Sequence, residues 1–369
     1  MVTGYAYVAA LTDNSLTLLD VSVPATPAFK SHIAGAGAPN FLKSACDLYK
    51  EGDLCYIGCA GRFAGDACLT IIDVVTNPAV PAFKGTVPFG TGTMFRFVFV
   101  SGNYAYCTEQ IPAGLFIVDV SNPALPSITG SILFAALGLS ATAAIGRAYK
   151  PTGNYAYIHS NSGGAHPDDN DDAFLIVDVS NPAAPTLAAS IRGAANKVGG
   201  MFCFASGSYA YLGCTMFNAL TIIDISNPLV PTLKGSLTDA INLAGVILLY
   251  KEGNYCYCGC TSIFTIIDVS NPAAPVFKST LAGFTNTITV YKDGNYCYVA
   301  DVMANKVYIV DVSNPALPSI TGSLSGSGAP NYLGMASFIA TSGYPPSPPS
   351  TPLHAGSFLA RREAWIGGL

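Results

Sequence analysis

The sequence predicts an all-β protein: a seven-bladed β-propeller with four-stranded antiparallel blades, its ring closed by the C-terminal strand pairing with the N-terminal blade. Three observations lead there. The phrase Ile117-Val118-Asp119-Val120-Ser121-Asn122-Pro123-Ala124-Leu125-Pro126 returns around Asp20, Asp73, Asp178, Asp224, Asp268 and Asp311, so seven copies follow one another at spacings of 43 to 59 residues. Each copy carries a second landmark upstream, as in Gly102-Asn103-Tyr104-Ala105-Tyr106. The two ends of the chain also share a motif that only one of them can complete.

Four strands can be read in each copy. Gly-Asn is a tight-turn signal, and Tyr-Ala-Tyr alternates large and small with period two, so this landmark is a hairpin entering a strand. An apolar stretch precedes it, for example Phe95 to Val100 or Val246 to Tyr250. The Ile-Val-Asp-Val strand follows and runs into the Ser-Asn-Pro turn. A fourth strand comes after the turn, such as Ala82 to Val87. Four short strands in each repeat is the content of a propeller blade. Both faces of a blade meet neighbours, so its strands should be apolar on both sides, as these are. The tyrosine face of one blade is expected to pack on the Ala/Cys/Gly face of the next.

The ends supply the closure. Gly35-Ala36-Gly37-Ala38-Pro39-Asn40 follows Asp20 at the same spacing as Gly326-Ser327-Gly328-Ala329-Pro330-Asn331 follows Asp311. Gly343 therefore stands where Gly52 stands, one circuit on from Gly4. The N-terminal copy lacks its first strand, and Tyr332 to Thr341 is a spare one. Pairing the two removes the open sheet edges; strand donation to a neighbouring subunit is the alternative.

The combination of Leu/Ile-Ile/Val-Asp-Val-Ser-Asn-Pro-Ala-x-Pro with Gly-Asn-Tyr-Ala-Tyr resembles the LVIVD-repeat proteins over roughly residues 1–343. The resemblance implies a β-propeller and a surface or secreted setting, and it implies no particular chemistry. Residues 344–352 form a Pro-rich polyproline-II linker, and 353–369 a tail foreign to the repeats. The linker resembles the Ser-Pro-Pro segments of hydroxyproline-rich cell-wall glycoproteins. That resemblance makes Ser347, Ser350 and Thr351 candidates for O-glycosylation.

Charged residues are 11% of the chain against about 25% in an ordinary soluble domain, and mean hydropathy is +0.42. So sparse a charge coat favours association or covering by partners or glycan. The net charge of −5 is mild and makes nucleic acid an improbable partner. No stretch reads as a membrane span. The chain enters repeat sequence directly at Met1-Val2-Thr3-Gly4-Tyr5 without a signal peptide, so an extracellular protein would have its natural start upstream.

Eight of the eleven cysteines fall on one face of the repeated Tyr-Ala-Tyr strand, where small residues alternate. They read as small buried hydrophobes. Cys256, Cys258 and Cys260 lie about 6.5 Å apart along a strand, too far to share one zinc ion. A Cys59–Cys68 cross-strand disulfide stays open.

The seven repeated aspartates look catalytic but suit a turn-fixing role, since one reaction does not need a group in every blade. One insertion stands out between His159 and Asp172. Its carboxylates Asp168, Asp169, Asp171 and Asp172 make a weak Ca²⁺ candidate site, the one cofactor the sequence suggests. No nucleotide-binding, nucleophile-elbow or zinc-protease motif occurs. The expectation is therefore a non-catalytic, self-associating extracellular scaffold, in a filament or surface layer. The alternatives are an enzyme or ligand binder using the central pore or the His159–Asp172 loop, and a carbohydrate-binding adhesin.

Overall fold

A computed structural model of the chain describes residues 4–59, 67–74, 78–89, 95–110, 112–139, 144–150, 153–161, 172–200 and 202–341. Its strands form seven four-stranded antiparallel sheets arranged as a propeller. Blade 3 shows the plan. Phe95–Ser101 lies innermost, followed outward by Tyr104–Gln110, Ala113–Asp119 and Ser127–Leu133. Blade 2 spans residues 45–88, blade 4 residues 144–192, blade 5 residues 202–238, blade 6 residues 248–282 and blade 7 residues 287–325.

Blade 1 is built from both ends of the described chain. Ala336–Thr341 is its inner strand and pairs with Tyr5–Ala10, with Val8 opposite Ile339 and Ala6 opposite Thr341. Ser15–Asp20 and Ala28–Ala34 complete the sheet. The ring is closed as the sequence predicts, with one correction. The strand begins at Ala336, and Tyr332 lies in the preceding connection with φ +49°. Tyr332 still joins the two ends: its carbonyl accepts a hydrogen bond from Thr17 Oγ1 at 2.8 Å, and its ring stacks on His32 at 3.8 Å.

The repeated phrase is a folding signal. Gly102 turns the chain at φ +62°, a left-handed conformation that suits glycine, and Val120 N–H closes back onto the Asn103 carbonyl at 2.8 Å. Asp119 Oδ1 accepts the Ser121 backbone N–H at 2.8 Å, and Asn122 Oδ1 accepts that of Ala124 at 3.2 Å. The same aspartate turn recurs at Asp20, Asp178, Asp224, Asp268 and Asp311. Hydrogen bonds from the following serine hold the carboxyls of Asp20, Asp119, Asp224 and Asp268 below the usual range. Asp73 has no serine two residues on and pairs with Lys84 at 3.6 Å.

Blades meet large against small. Tyr7 shares a buried cluster with Cys55, Tyr56 with Ala105 and Cys107, Tyr106 with Ala156, and Tyr157 with Ala210. Tyr211 with Cys256, Tyr257 with Cys297 and Tyr298 with Ala6 complete the circuit. A second contact sits nearer the rim. Every outer strand has a register shift at one place, and the residue there is Ser31, Gly85, Gly130, Ala189, Gly235, Ser279 or Gly322. Such bulges bend a strand and tighten its twist. A Cβ on Gly85, Gly130, Gly235 or Gly322 would lie 2.1–2.4 Å from the carbonyl oxygen of Pro123, Pro182, Pro272 or Pro24 in the next blade. Ser31 and Ser279 instead donate to Pro78 and Pro315 carbonyls at 2.6 Å.

Gly130→Val and Gly322→Val should each cost about 1–3 kcal/mol, the usual cost of overpacking a close contact. Urea unfolding reads the effect. Gly37→Ala, where nothing lies within 4 Å of the added carbon, is the control that should leave the midpoint in place.

Candidate functional site

The axis of the ring carries the unusual chemistry. Counting back five residues from the turn glycine of each blade, or six in blade 4, reaches one position on or beside each inner strand. These positions hold Asp47, Phe97, Arg147, Phe202, Leu248, Thr289 and Phe338. Three phenylalanines of this upper ring meet across the axis, with centroids 4.7 Å apart for Phe97–Phe202 and 6.0 Å for Phe97–Phe338. Two residues further along lies a belt of Tyr49, Phe99, Tyr149, Phe204, Tyr250 and Tyr291, with successive centroids 4.6–5.2 Å apart. Blade 1 interrupts the belt with Ala340. The pore is thus filled by aromatic side chains, and a cavity of about 40 Å³ is left between the two rings, bounded by Arg147, Tyr149, Phe202, Tyr250, Thr289 and Phe338 among others.

Into this apolar layer the chain places one ion pair. Arg147 reaches from blade 4 to blade 2, where Nη2 meets Asp47 Oδ1 and donates to the Leu48 carbonyl at 3.3 Å. Its guanidinium also lies over the Phe338 ring at 4.8 Å. The second Asp47 oxygen accepts the Val98 N–H at 2.6 Å. Burial pushes the Asp47 carboxyl upward, against the opposing pull of Arg147 and of these hydrogen bonds. Arg147 borders the cavity and Asp47 lies behind it; a buried carboxylate held by such a guanidinium can take a proton and leave a cation facing developing negative charge.

A second buried acid, Glu109, lies one residue before the end of strand Tyr104–Gln110 in blade 3. Among the described residues neither carboxylate oxygen has a hydrogen-bond partner, and burial pushes the carboxyl up to about 8. Asp301 fills the equivalent position in blade 7 and is fully bonded, by Thr285 N–H at 2.7 Å, Thr285 Oγ1 at 2.6 Å and Asn286 N–H at 3.0 Å.

The residues singled out by sequence fare differently. Asp168, Asp169 and Asp171 lie outside the described residues. Asp172 is buried, and its carboxylate occupies the space where a Cβ on Gly199 would stand, 2.8 Å away. His159 belongs to strand Tyr155–Asn161, not to a loop, with Nδ1 3.1 Å from the Phe202 carbonyl and Nε2 2.5 Å from that of Val198. Burial holds its imidazole down at about 4 in spite of both carbonyls. Both ends of the insertion are therefore packed against blade 5. Among the described residues no three His, Cys, Asp or Glu side chains are grouped to hold a metal ion. Ten of the eleven cysteines are buried, and Cys46 is half-buried. Ser347, Ser350 and Thr351 lie outside the described residues. Among the described residues no helix is long and apolar enough to cross a membrane.

Sequence reasoning missed Asp47, Arg147 and Glu109. The available signal was the repeat itself: aligned on the turn glycines, a position otherwise filled mainly by apolar groups holds one acid and one base.

Removing one partner of the buried pair, by Asp47→Leu or Arg147→Met, should cost about 3–5 kcal/mol, and the double variant should recover most of it. Denaturant unfolding decides this. Glu109 adds a pH signature. Its folded pKa lies above the unfolded value near 4.5, so the folded state keeps a proton that the unfolded chain releases, and stability falls as pH rises from 4.5 through 8. Glu109→Gln should flatten that fall and raise Tm at pH 8.5, which thermal melts between pH 5 and 9 would show.

The fold is shared widely. A Bacteroides fragilis protein assigned provisionally as a 6-phosphogluconolactonase superposes with a TM-score of 0.74 at 11% identity, covering 91% of this chain and 97% of that one. A Pseudomonas aeruginosa periplasmic gluconolactonase gives 0.72 at 12%, covering 92% and 99%. No curated protein matches the sequence. These structures correct the expectation of a non-catalytic, self-associating scaffold. The propellers matched nearly end to end include a gluconolactonase. At such identities the likeness shows the fold. The LVIVD repeat model matches residues 2–34, 44–88, 95–133, 151–192, 203–239, 251–282 and 282–325, and the chain belongs to the LVIVD repeat family.

Proposed function

We propose that the protein is an enzyme that hydrolyses a small lactone at the axis of the ring. The observation that carries this reading is the Asp47–Arg147 pair, two opposite charges set into a layer otherwise made mainly of apolar groups. Desolvation of two charges is expensive, and an apolar pair of similar size would be nearly as stable there. Burying them suits a site that needs a base and an anion stabiliser. The likeness in fold to gluconolactonases suggests the substrate class.

The chemistry closes with this chain's own groups. Asp47 takes a proton from a water as the water oxygen adds to the lactone carbonyl carbon. Arg147 faces the resulting oxyanion, a charge that exists only during the reaction. The ring C–O bond then breaks, and the leaving alkoxide takes the proton back from Asp47 to give a hydroxy acid. A space of about 40 Å³ has room for the attacking water. The aromatic belt would have to part to admit the rest of the substrate, and its ring faces suit the C–H edges of a sugar.

Glucono-δ-lactone and its 6-phosphate are the substrates to try, followed by a pH indicator against the buffer rate. Saturable hydrolysis is expected, rising with pH as Asp47 ionises. The folded double variant Asp47→Leu/Arg147→Met should lose it by about 10²-fold or more, the scale of removing one oxyanion donor. A folded double variant that keeps the wild-type rate, or wild-type protein no faster than buffer, would overturn the assignment.

A further inference from the structure

We propose that Cys59 and Cys68 form a reversible dithiol–disulfide site, served by a cavity at one edge of blade 2 and oxidised by a small-molecule disulfide. This site is separate from the axial pair and does not rest on the lactonase reading.

Three independent observations converge on it. The two cysteines are direct cross-strand partners, the last pair of the hairpin formed by Leu54–Cys59 and Cys68–Asp73. Opposed residues in an antiparallel pair have Cα atoms about 4.5–5.5 Å apart and side chains on one face, inside the 4.4–6.8 Å range a disulfide spans. The sulfurs also share the same two neighbours. Cys59 Sγ lies 3.3 Å and Cys68 Sγ 3.5 Å from the Phe41 carbonyl oxygen, and they lie 4.0 and 3.5 Å from Thr70 Oγ1.

The third observation is access. Cys68 lines a cavity of about 410 Å³ together with Phe41, Lys43, Ala67, Thr86 and Pro88, whereas Cys59 is fully buried behind it. Several cysteines on the same repeated strand are instead fully buried in clusters with the tyrosines of the preceding blade. Cys55, Cys256 and Cys297 are examples. The cavity fixes the order of events. Cys68 is the attacking thiol and Cys59 the resolving one. Lys43 favours an anionic partner, such as a glutathione-like disulfide.

The steps balance. The Cys68 thiolate attacks one sulfur of the small disulfide, forming a mixed disulfide and releasing one small thiolate. Cys59, on losing its proton, attacks the Cys68 sulfur, closes the Cys59–Cys68 bond and releases the second thiolate. The two protons given up by the protein end on the two small thiols, and the small disulfide is the electron acceptor. Burial and the neighbouring Cys68 and Cys46 sulfurs raise the Cys59 thiol well above its ordinary value, so ring closure is the slow step.

The test uses the full chain, folded, equilibrated in glutathione–glutathione disulfide mixtures and quenched with an alkylating reagent before peptide mass analysis. The expected result is loss of two alkylatable thiols, recovered as a Cys59–Cys68 linked peptide and restored by excess glutathione. Cys59→Ser should stop at a stable glutathione adduct on Cys68, Cys68→Ser should give neither product, and Cys46→Ser should leave the linkage intact. Eleven alkylatable thiols after incubation in glutathione disulfide, or loss of thiols spread evenly over all cysteines, would overturn the proposal.

Discussion

The structure depends on one contact repeated seven times: the tyrosine face of each blade needs the small face of the next. A blade with two apolar faces has no stable life alone, so every copy is held by both neighbours and the series must return on itself. That requirement accounts for the scarcity of charge, since the surfaces that would carry it are covered by other blades. It also accounts for the cysteines, which are small enough to sit beneath a phenol ring and apolar enough to stay there. Four of the few cations find their place in the same contact. Lys50, Lys150, Lys251 and Lys292 lie over the rings of Tyr7, Tyr106, Tyr211 and Tyr257 at 5.1–5.6 Å, each spanning to the preceding blade.

Much of this was legible in the chain because it is periodic. The turn chemistry of Asp119-Val120-Ser121-Asn122-Pro123 follows from short polar side chains beside a proline, and the tyrosine–cysteine alternation follows from a strand covered on both faces. The closing strand could be counted out from two copies of one loop motif. Its start was misplaced at Tyr332, because an apolar aromatic after a Pro-Asn turn reads as a strand. That residue adopts a left-handed conformation like Phe41 in the matching loop, a feature side-chain pattern does not encode.

The axial site was illegible for a different reason. Asp47 and Arg147 are a hundred residues apart, in stretches with no motif, and become neighbours because two non-adjacent blades face the same axis. The most visible acidic cluster drew attention to Asp168 through Asp172; of its four carboxylates only Asp172 is described, and it and His159 fill the spaces left by Gly199 and Gly200. Local composition pointed to the loop, whereas the departure from the repeat's own average pointed to the axis.

The inner strand of blade 1 has a consequence in time as well as in space. Phe338 borders the axial cavity and lies under the Arg147 guanidinium, yet it belongs to the final described strand. During synthesis the other six blades can emerge from the ribosome and dock while the axis still lacks one wall. The centre of the molecule is thus assembled last, and a nascent chain halted before Ala336 would carry Asp47 and Arg147 without the residue that seals them from water. Burial of the axial pair thus waits on translation through that strand.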